Sequence, residues 1–189
     1  MIKAKKKYGQ NFLVDQGIIN KIIEAINPSN TEKILEIGPG LGALTTQILN
    51  KIKHIDVVEI DPDMIKVLQG KIPSANITIF PLSVLEMSND TIAKYDKVIG
   101  NLPYYISSEI LLKMIKTINN QKDLHFMLQK EVAERIASST HSKSYGRLSV
   151  MLQYFFDIEL LFDIHPESFS PSPKVISSLV RLIPKINHI

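Results

Sequence analysis

Short runs of aliphatic and β-branched residues alternate with helical apolar patterns along most of this sequence, and that alternation limits the possible folds. It predicts strands at 33–37, 54–60, 77–82, 97–99 and 124–128. Apolar residues at helical spacing predict helices at 18–26, 44–52, 61–68, 108–118, 130–137 and 148–152. Strands separated by helices need crossover connections, so we predict an α/β fold with a mostly parallel sheet that helices cover on both faces.

The last two predicted strands differ from the others because no helix separates them. They lie at 155–164 and 175–183, on either side of a proline-rich loop, and so can pair antiparallel at one edge of the sheet. We find no internal repeat and no low-complexity linker, and a chain of 189 residues has the size of an ordinary domain. We therefore expect one domain spanning residues 1–189.

Composition excludes several functional classes. No run of 18 apolar residues occurs, so no membrane span is predicted. The sequence has no cysteine, which rules out disulfides and thiolate metal sites. Its histidines show no metal-ligand spacing, so no metal is expected; they are His54, His125, His141, His165 and His188. We expect a cytoplasmic monomer.

Net charge is only +3, but lysines cluster at the start of the chain, at positions 3, 5, 6 and 7. They indicate either a solvated, frayed terminus or an arm that contacts nucleic-acid phosphates. Lysine acts on phosphate as a point charge, so the pattern favours backbone attraction over base readout.

A glycine-rich segment, Gly38-Pro39-Gly40-Leu41-Gly42, follows the first predicted strand directly. Glycines allow positive φ and a close approach of the backbone to a ligand. Glu59 ends the next strand, where an acid can accept hydrogen bonds from both hydroxyls of a ribose. Asp61, before Pro62, is better explained as the cap of the following helix. Together Gly38, Gly40 and Glu59 predict an adenosine-containing cofactor, either a nicotinamide nucleotide or S-adenosylmethionine.

Asn101-Leu102-Pro103-Tyr104 follows the fourth predicted strand and favours the second cofactor. Proline fixes the backbone locally, so the Asn101 amide oxygen and the Leu102 carbonyl can point into one small space. Two such acceptors suit an amine with two hydrogens, and Tyr104 offers a flat face to an unstacked base. The alternative is an ordinary polar turn with a partly exposed tyrosine.

These residues resemble the amine-methylation motif of S-adenosylmethionine-dependent adenine methyltransferases, and the whole chain resembles the rRNA adenine dimethyltransferase family. Six short segments carry the resemblance: 8–15, 38–45, 100–104, 127–133, 145–149 and 169–175. The resemblance implies a Rossmann-like methyltransferase that uses S-adenosylmethionine as cofactor. It implies RNA binding, and a substrate of two adjacent adenosines in small-subunit ribosomal RNA, dimethylated during ribosome biogenesis.

The resemblance also implies roles for individual residues. Gln10, Asn11 and Leu13 match a motif that lies against the methionine part of the cofactor. Gly38 and Gly40 match the cofactor loop, and Glu59 matches the ribose-binding acid. The target-amine motif corresponds to Asn101, Leu102 and Tyr104, with Asn101 also near the cofactor. Phe169 matches an aromatic residue that lines the base pocket opposite the tyrosine.

The sequence departs from the family pattern in two places. Ser83 stands where the family usually has an aspartate that holds the cofactor's adenine amine. A hydroxyl there loses a charge-assisted contact worth about 1 kcal/mol or more. The family's small helical domain, which follows the last strand and docks on the ribosomal subunit, is expected to be absent because the sequence stops at Ile189.

Three other interpretations remain. A large-subunit rRNA adenine methyltransferase of the macrolide-resistance type shares the cofactor loop and aromatic pocket. A non-catalytic rRNA-binding assembly factor would fit Ser83 and the missing domain. A nicotinamide-dependent dehydrogenase would leave Asn101 to Tyr104 unexplained. Elsewhere, Lys130, Glu131, Glu134 and Arg135 have the spacing of ordinary helical ion pairs, and Arg147 is a candidate RNA contact.

Overall fold

The structure is a computed structural model that describes residues 4–119 and 121–185, except the side chain of Lys6. Lys3 and His188, named above, lie outside the described residues. The strands are β1 (Phe12–Leu13), β2 (Ile34–Ile37), β3 (Ile55–Val58), β4 (Ile77–Phe80), β5 (Lys97–Asn101), β6 (Asp123–Gln129), β7 (Phe156–Ile164), β8 (Phe169–Ser170) and β9 (Ser177–Pro184). The α-helices are α1 (Gln16–Ile26), α2 (Ala43–Ile48), α3 (Pro62–Lys71), α4 (Asn89–Ile92), α5 (Ser107–Ile115), α6 (Lys130–Ile136) and α7 (Arg147–Phe155).

Seven strands form the central sheet in the order β4-β3-β2-β5-β6-β9-β7. The four pairings from β4 to β6 are parallel. The expected antiparallel pairing of the last two long strands is confirmed. β9 inserts between β6 and β7 and runs antiparallel to both, so β7 forms the edge. The predicted α/β class, mostly parallel with an antiparallel edge, is therefore confirmed.

Side-chain caps start the helices where the sequence placed them. Asp15 accepts hydrogen bonds from the backbone amides of Gly17 and Ile18 and so begins α1. Asp61 caps α3 by accepting from Asp63 N, with Pro62 in the first turn. A short-chain oxygen that satisfies otherwise unpaired amides at a helix start stabilises the helix by about 1 kcal/mol.

Two hydrophobic clusters hold the helices on opposite faces of the sheet. One includes the apolar residues of α1, α2 and α3, such as Ile22, Ile48 and Leu68. The other includes those of α5 and α7, such as Leu111 and Leu152, around Phe126 of β6. Each of these side chains is fully or almost fully buried, which is the burial on both faces that a parallel sheet requires.

Chain order along the sheet reverses between β2 and β5, which are adjacent parallel strands. In open α/β sheets, ligands bind in the crevice beyond the carboxyl ends of the strands at this reversal. The glycine segment follows β2, and Asn101 ends β5, so both predicted motifs lie at that crevice.

Some elements differ from the sequence prediction. Helix α2 ends at Ile48 rather than near residue 52, with turns following it. The two-residue strands β1 and β8, which pair antiparallel, and the single turn α4 were not predicted. Elements of two to four residues are too short to show a hydrophobic period. Within the part of the chain that the structure describes, no helix has the length and apolar character to cross a membrane.

Candidate active site

An open cavity lies at the carboxyl ends of β2, β3 and β5. Its empty space is about 1080 Å³, part of which is open to solvent. Ten of the eleven residues predicted for the site line it, and Phe169 does not. Those ten are Gln10, Asn11, Leu13, Gly38, Gly40, Glu59, Ser83, Asn101, Leu102 and Tyr104.

The glycine loop has the backbone conformation that its composition predicts. Gly38 and Gly40 have φ of 64° and 55°, in the left-handed region that other residues rarely adopt. A β-carbon at Gly40 would lie 3.0 Å from Cδ1 of Phe12, so the loop also needs glycine to pass beneath the N-terminal segment.

Glu59 lies just beyond β3 and connects the glycine loop to the next helix. One carboxylate oxygen accepts from Gly40 N at 3.2 Å, and the other accepts from Asp61 N at 2.8 Å. The residue is 6% exposed, and burial raises the pKa of its carboxyl. Each oxygen has a second lone pair, so the carboxylate can still accept from two ligand hydroxyls. This geometry fits a ribose.

Glu36, which we did not predict as a site residue, also lines the cavity. It is 2% exposed, and one of its oxygens accepts a 2.6 Å hydrogen bond from the Thr45 hydroxyl. Burial raises the pKa of its carboxyl to about 7, with a further contribution from the negative charge of Glu59. The signal available in the sequence was a single acid inside an otherwise apolar strand, Ile34–Ile37.

The N-terminal segment covers one side of the cavity and is fastened to the start of α3. Lys5 Nζ lies 2.6 Å from carboxylate oxygens of both Asp61 and Asp63. Gln10 donates to the other Asp61 oxygen at 2.8 Å and accepts from Lys5 N at 2.8 Å. The frayed-terminus interpretation is therefore wrong for Lys5, whose charge two acidic side chains balance, while its contact with phosphates stays a prediction.

Asn101 faces this segment. Its Nδ2 donates a 2.9 Å hydrogen bond to the backbone carbonyl of Asn11, so its Oδ1 is the atom that can accept from a ligand. Leu102 follows, 1% exposed, and its amide donates to Met127 O in β6. Asn101 and the glycine loop therefore line one cavity.

Tyr104 lies in a short 3-10 turn, Tyr104–Ile106, that leads into α5. Its hydroxyl is 2.7 Å from the hydroxyl of Ser177, at the start of β9. Partial burial raises the pKa of the Tyr104 phenol. The Ser177 contact fixes the ring from its far end, while the residue still lines the cavity.

Phe169 is placed differently from the other predicted residues. It is 4% exposed and belongs to the hydrophobic cluster on the α1 face, together with Leu13. Strand β8 pairs with β1, which sets Phe169 opposite Leu13. Because cross-strand partners point to the same face, Phe169 lies beside Leu13 in this cluster, next to the cavity wall that Leu13 forms.

Ser83 lines the cavity beyond β4. Its hydroxyl accepts from Leu85 N at 3.2 Å, and its backbone amide donates to the Glu86 carboxylate at 3.2 Å. The hydroxyl hydrogen and the second lone pair are available to a ligand. The cavity wall beyond β4 thus offers a ligand a neutral hydroxyl.

The ion-pair interpretation of α6 is confirmed. Arg135 contacts Glu131 at 2.6 Å, and Lys130 lies 3.9 Å from Glu134, both four residues apart on one helix. None of these residues lines the cavity. Arg147 is exposed as the first residue of α7, and its predicted RNA contact stays a prediction.

Comparison with known proteins identifies the family of this chain. The sequence model of the family "ribosomal RNA adenine dimethylase" matches residues 1–189. "Ribosomal RNA small subunit methyltransferase A" of Methylobacillus flagellatus is 48% identical over 181 residues, which cover 96% of this chain and 71% of the relative.

Solved structures show the same fold. A dimethyladenosine transferase from Plasmodium falciparum superposes with a TM-score of 0.85 and 32% identity, over 92% of this chain. This chain spans 63% of that protein's length. The 23S rRNA methyltransferase ErmE gives a TM-score of 0.80 and 27% identity, over 93% of this chain and 70% of its own. By its sequence and its fold, the chain belongs to the ribosomal RNA adenine dimethylase family.

Proposed function

We propose that this protein transfers methyl groups from S-adenosylmethionine to the exocyclic amine of adenines in small-subunit ribosomal RNA. Following the family, it dimethylates two adjacent adenosines during ribosome biogenesis. The observation that carries the proposal is that Asn101 and Tyr104 line the same cavity as the glycine loop and Glu59. Adenine methylation requires a cavity that binds the adenosine of the cofactor on one side and the target amine on the other.

The residues around the glycine loop suit this cofactor. Glu59 would accept from the ribose hydroxyls, and the positive-φ glycines at 38 and 40 would let the chain approach it closely. Gln10, Asn11 and Leu13 would lie against its methionine part, and Ser83 would contact the adenine. When bound, S-adenosylmethionine supplies an electrophilic methyl group on a cationic sulfur.

Asn101 and Leu102 would act on the nucleophile. The lone pair of an adenine amine is delocalised into the ring, so the amine attacks poorly. Asn101 Oδ1 and the Leu102 carbonyl would accept its two hydrogens, favour a pyramidal nitrogen and stabilise the positive charge that develops there. Stabilising charge in this way typically contributes about 3 kcal/mol.

Tyr104 would hold the flipped base by stacking, with the ring fixed by its contact to Ser177. Holding the base in line with the methyl group lowers the entropic cost of alignment. Phe169 would stabilise this arrangement from within the core, through its packing beside Leu13. The amine proton can leave to solvent, so we assign no general base.

Two other functions make different predictions. A large-subunit enzyme, which the likeness to ErmE favours, would methylate large subunits instead. The 48% identity to a small-subunit relative, against 27% to ErmE, favours the small subunit. A non-catalytic assembly factor would bind rRNA without binding S-adenosylmethionine.

One experiment separates these functions. The protein is incubated with methyl-labelled S-adenosylmethionine and with purified small or large subunits, and mass spectrometry then locates the label. We expect dimethyladenosine at adjacent positions of the small-subunit RNA. Label confined to large subunits would favour the ErmE-like function. No label, with no calorimetric binding of the cofactor, would favour the assembly factor.

We also propose that residues 1–189 act as one methyltransferase domain, as a monomer in the cytoplasm. Sedimentation equilibrium of the protein with and without RNA tests the oligomeric state. A mass near the chain's 21.3 kDa is expected for the protein alone.

A further inference from the structure

Tyr105 stands at the mouth of the cavity, directly after the residue assigned to the target base. It lines the cavity, and yet 61% of it is exposed. Tyr104 beside it is half-buried and hydrogen-bonded to Ser177. The two consecutive rings therefore differ in position, one inside the cavity and one at its rim.

The Tyr105 ring is supported on one side by the N-terminal segment. A β-carbon at Gly9 would lie 3.3 Å from Cδ1 and 3.4 Å from Cε1 of Tyr105, so the glycine lets the backbone lie flat beside the ring. Gly9 has φ of 59°, which suits glycine for a second reason. The backbone of Tyr105 is held by the 3-10 turn from Tyr104 to Ile106, in which Ile106 N donates a hydrogen bond to Pro103 O.

Further groups around Gly9 suit a nucleic-acid strand. Tyr8 also lines the cavity, and the ammonium of Lys7 lies 4.4 Å from the centre of its ring. Lys7 is exposed, in contrast to the neutralised Lys5. A flat aromatic face beside a cation is the arrangement by which proteins hold single-stranded nucleic acid, with bases stacking on the ring and phosphates near the charge.

We propose that Tyr105 is a stacking platform for the base that neighbours the target adenine, and that it positions the RNA strand at the cavity mouth. This inference rests on the proposed function. If the target base enters the cavity beside Tyr104, the chain of the RNA must cross the rim there. The nucleotide next to the target adenine would then lie beside Tyr105, whose ring follows that of Tyr104 in the sequence.

The test compares Tyr105→Ala and Tyr105→Phe with the unchanged protein. RNA binding is measured by fluorescence anisotropy on a synthetic single-stranded RNA that contains two adjacent adenosines. Loss of one base–aromatic stack weakens binding about five-fold or more. We expect that loss, and a matching rise in KM with little change in kcat, for Tyr105→Ala. Tyr105→Phe should restore both, because stacking needs the ring and not the hydroxyl.

RNAs with an abasic nucleotide on the 5′ or the 3′ side of the target complete the test. With one of these two RNAs, Tyr105→Ala and the unchanged protein should bind equally, since the base that stacks is missing. Tyr154→Ala is the matched control, because Tyr154 is 58% exposed on α7 and does not line the cavity. Its RNA binding should not change.

The outcomes separate this inference from the proposed function. The stacking role would be overturned if Tyr105→Ala bound RNA as tightly as the unchanged protein. It would also be overturned if Tyr105→Ala bound both abasic RNAs more weakly than the unchanged protein does. Either result would count even if methylation is normal. RNA binding that needs Tyr105, in a protein that transfers no methyl group, would support the platform and contradict the methylation. A protein that neither binds nor methylates the RNA would overturn both.

Discussion

The side-chain amide of Asn101 donates a 2.9 Å hydrogen bond to the backbone carbonyl of Asn11, 90 residues earlier in the chain. This bond fixes the orientation of the amide, so its oxygen is the atom presented to a ligand. It also ties the end of β5 to the N-terminal segment, and thus couples the residue proposed to bind the amine to the segment that covers the cavity.

Replacing Asn101 by alanine should lower turnover far more than cofactor affinity. The variant loses an acceptor for the amine, and removal of one such group typically costs on the order of 100-fold in kcat. Asn101→Asp keeps an acceptor but cannot donate to Asn11. Methyl transfer to small subunits measures kcat, and calorimetry measures S-adenosylmethionine affinity. Asn20→Ala, at an exposed position of α1, is the control. A variant whose main defect is cofactor binding would contradict the assignment.

Replacing Glu59 should have the opposite effect and lower cofactor affinity far more than turnover. Glu59→Ala removes hydrogen bonds to a charged acceptor, each worth about 1.5–3 kcal/mol, and should weaken cofactor binding roughly ten-fold or more. Glu59→Gln keeps one acceptor, so its cofactor affinity should lie between those of Glu59→Ala and the unchanged protein. At saturating cofactor both variants should reach most of the kcat of the unchanged protein. Glu109→Ala, exposed on α5, is the matched control. Unchanged affinity of Glu59→Ala would eliminate its ribose role.

Glu36 predicts a pH dependence of stability. Its folded pKa is raised to about 7 by burial, so the folded protein keeps a proton that the unfolded chain loses near pH 4.5. The cost of ionising this buried carboxyl therefore grows as pH rises from about 4.5 to 7 and is constant above that range. Glu36→Gln, which still accepts from Thr45, avoids that cost.

Urea unfolding of Glu36→Gln and the unchanged protein at pH 5 and pH 8 tests this. At pH 8 the free energy of unfolding of the variant should exceed that of the unchanged protein by an amount on the order of 3 kcal/mol at most. Near pH 5 the difference should be much smaller. A constant difference at both pH values would show that Glu36 ionises normally in the folded state.

Gly100 predicts a packing requirement between the two strands at the chain reversal. A β-carbon there would lie 2.5 Å from the Ile37 carbonyl oxygen in β2. Gly100→Ala should therefore cost about 1–3 kcal/mol or more, because strand backbones must move apart. For a chain of this length that corresponds to a fall in Tm of roughly 3–10 °C.

Gly70→Ala is the matched control for that measurement. Gly70 lies in α3, and a β-carbon there would meet nothing within 4 Å. Alanine favours helix over glycine by up to about 1 kcal/mol, so this variant should be slightly stabilised. If both substitutions shift Tm equally, the close approach at Gly100 does not limit the sheet.

Local signals in the sequence account for much of this architecture. Asp15 and Asp61 begin helices where they were expected, and the glycines at 38 and 40 have positive φ. These features depend on neighbours within a few residues. The position of β9 between β6 and β7 does not, because a strand's partner depends on packing across the whole sheet.

Contacts between distant residues were the part that sequence reasoning missed. Lys97, Asp123 and Arg181 form a mostly buried charge cluster, with Lys97 Nζ 2.9 Å and Arg181 Nη2 2.8 Å from the Asp123 carboxylate. Nothing in their spacing indicates that they meet. Likewise, the opening lysines suggested a nucleic-acid arm, while the fold brings Lys5 to Asp61.

The contacts that β8 and β9 make have a consequence for the order in which the protein becomes competent during synthesis. The glycine loop, Glu59 and Asn101 leave the translating ribosome first, but the partner of β1 and the serine that anchors Tyr104 follow much later. Until then, β6 also has an open edge that invites pairing with other chains. The residues proposed to bind the cofactor are therefore synthesised well before the strands that hold β1 and Tyr104 in place, so both halves of the cavity are complete only once β9 has been made.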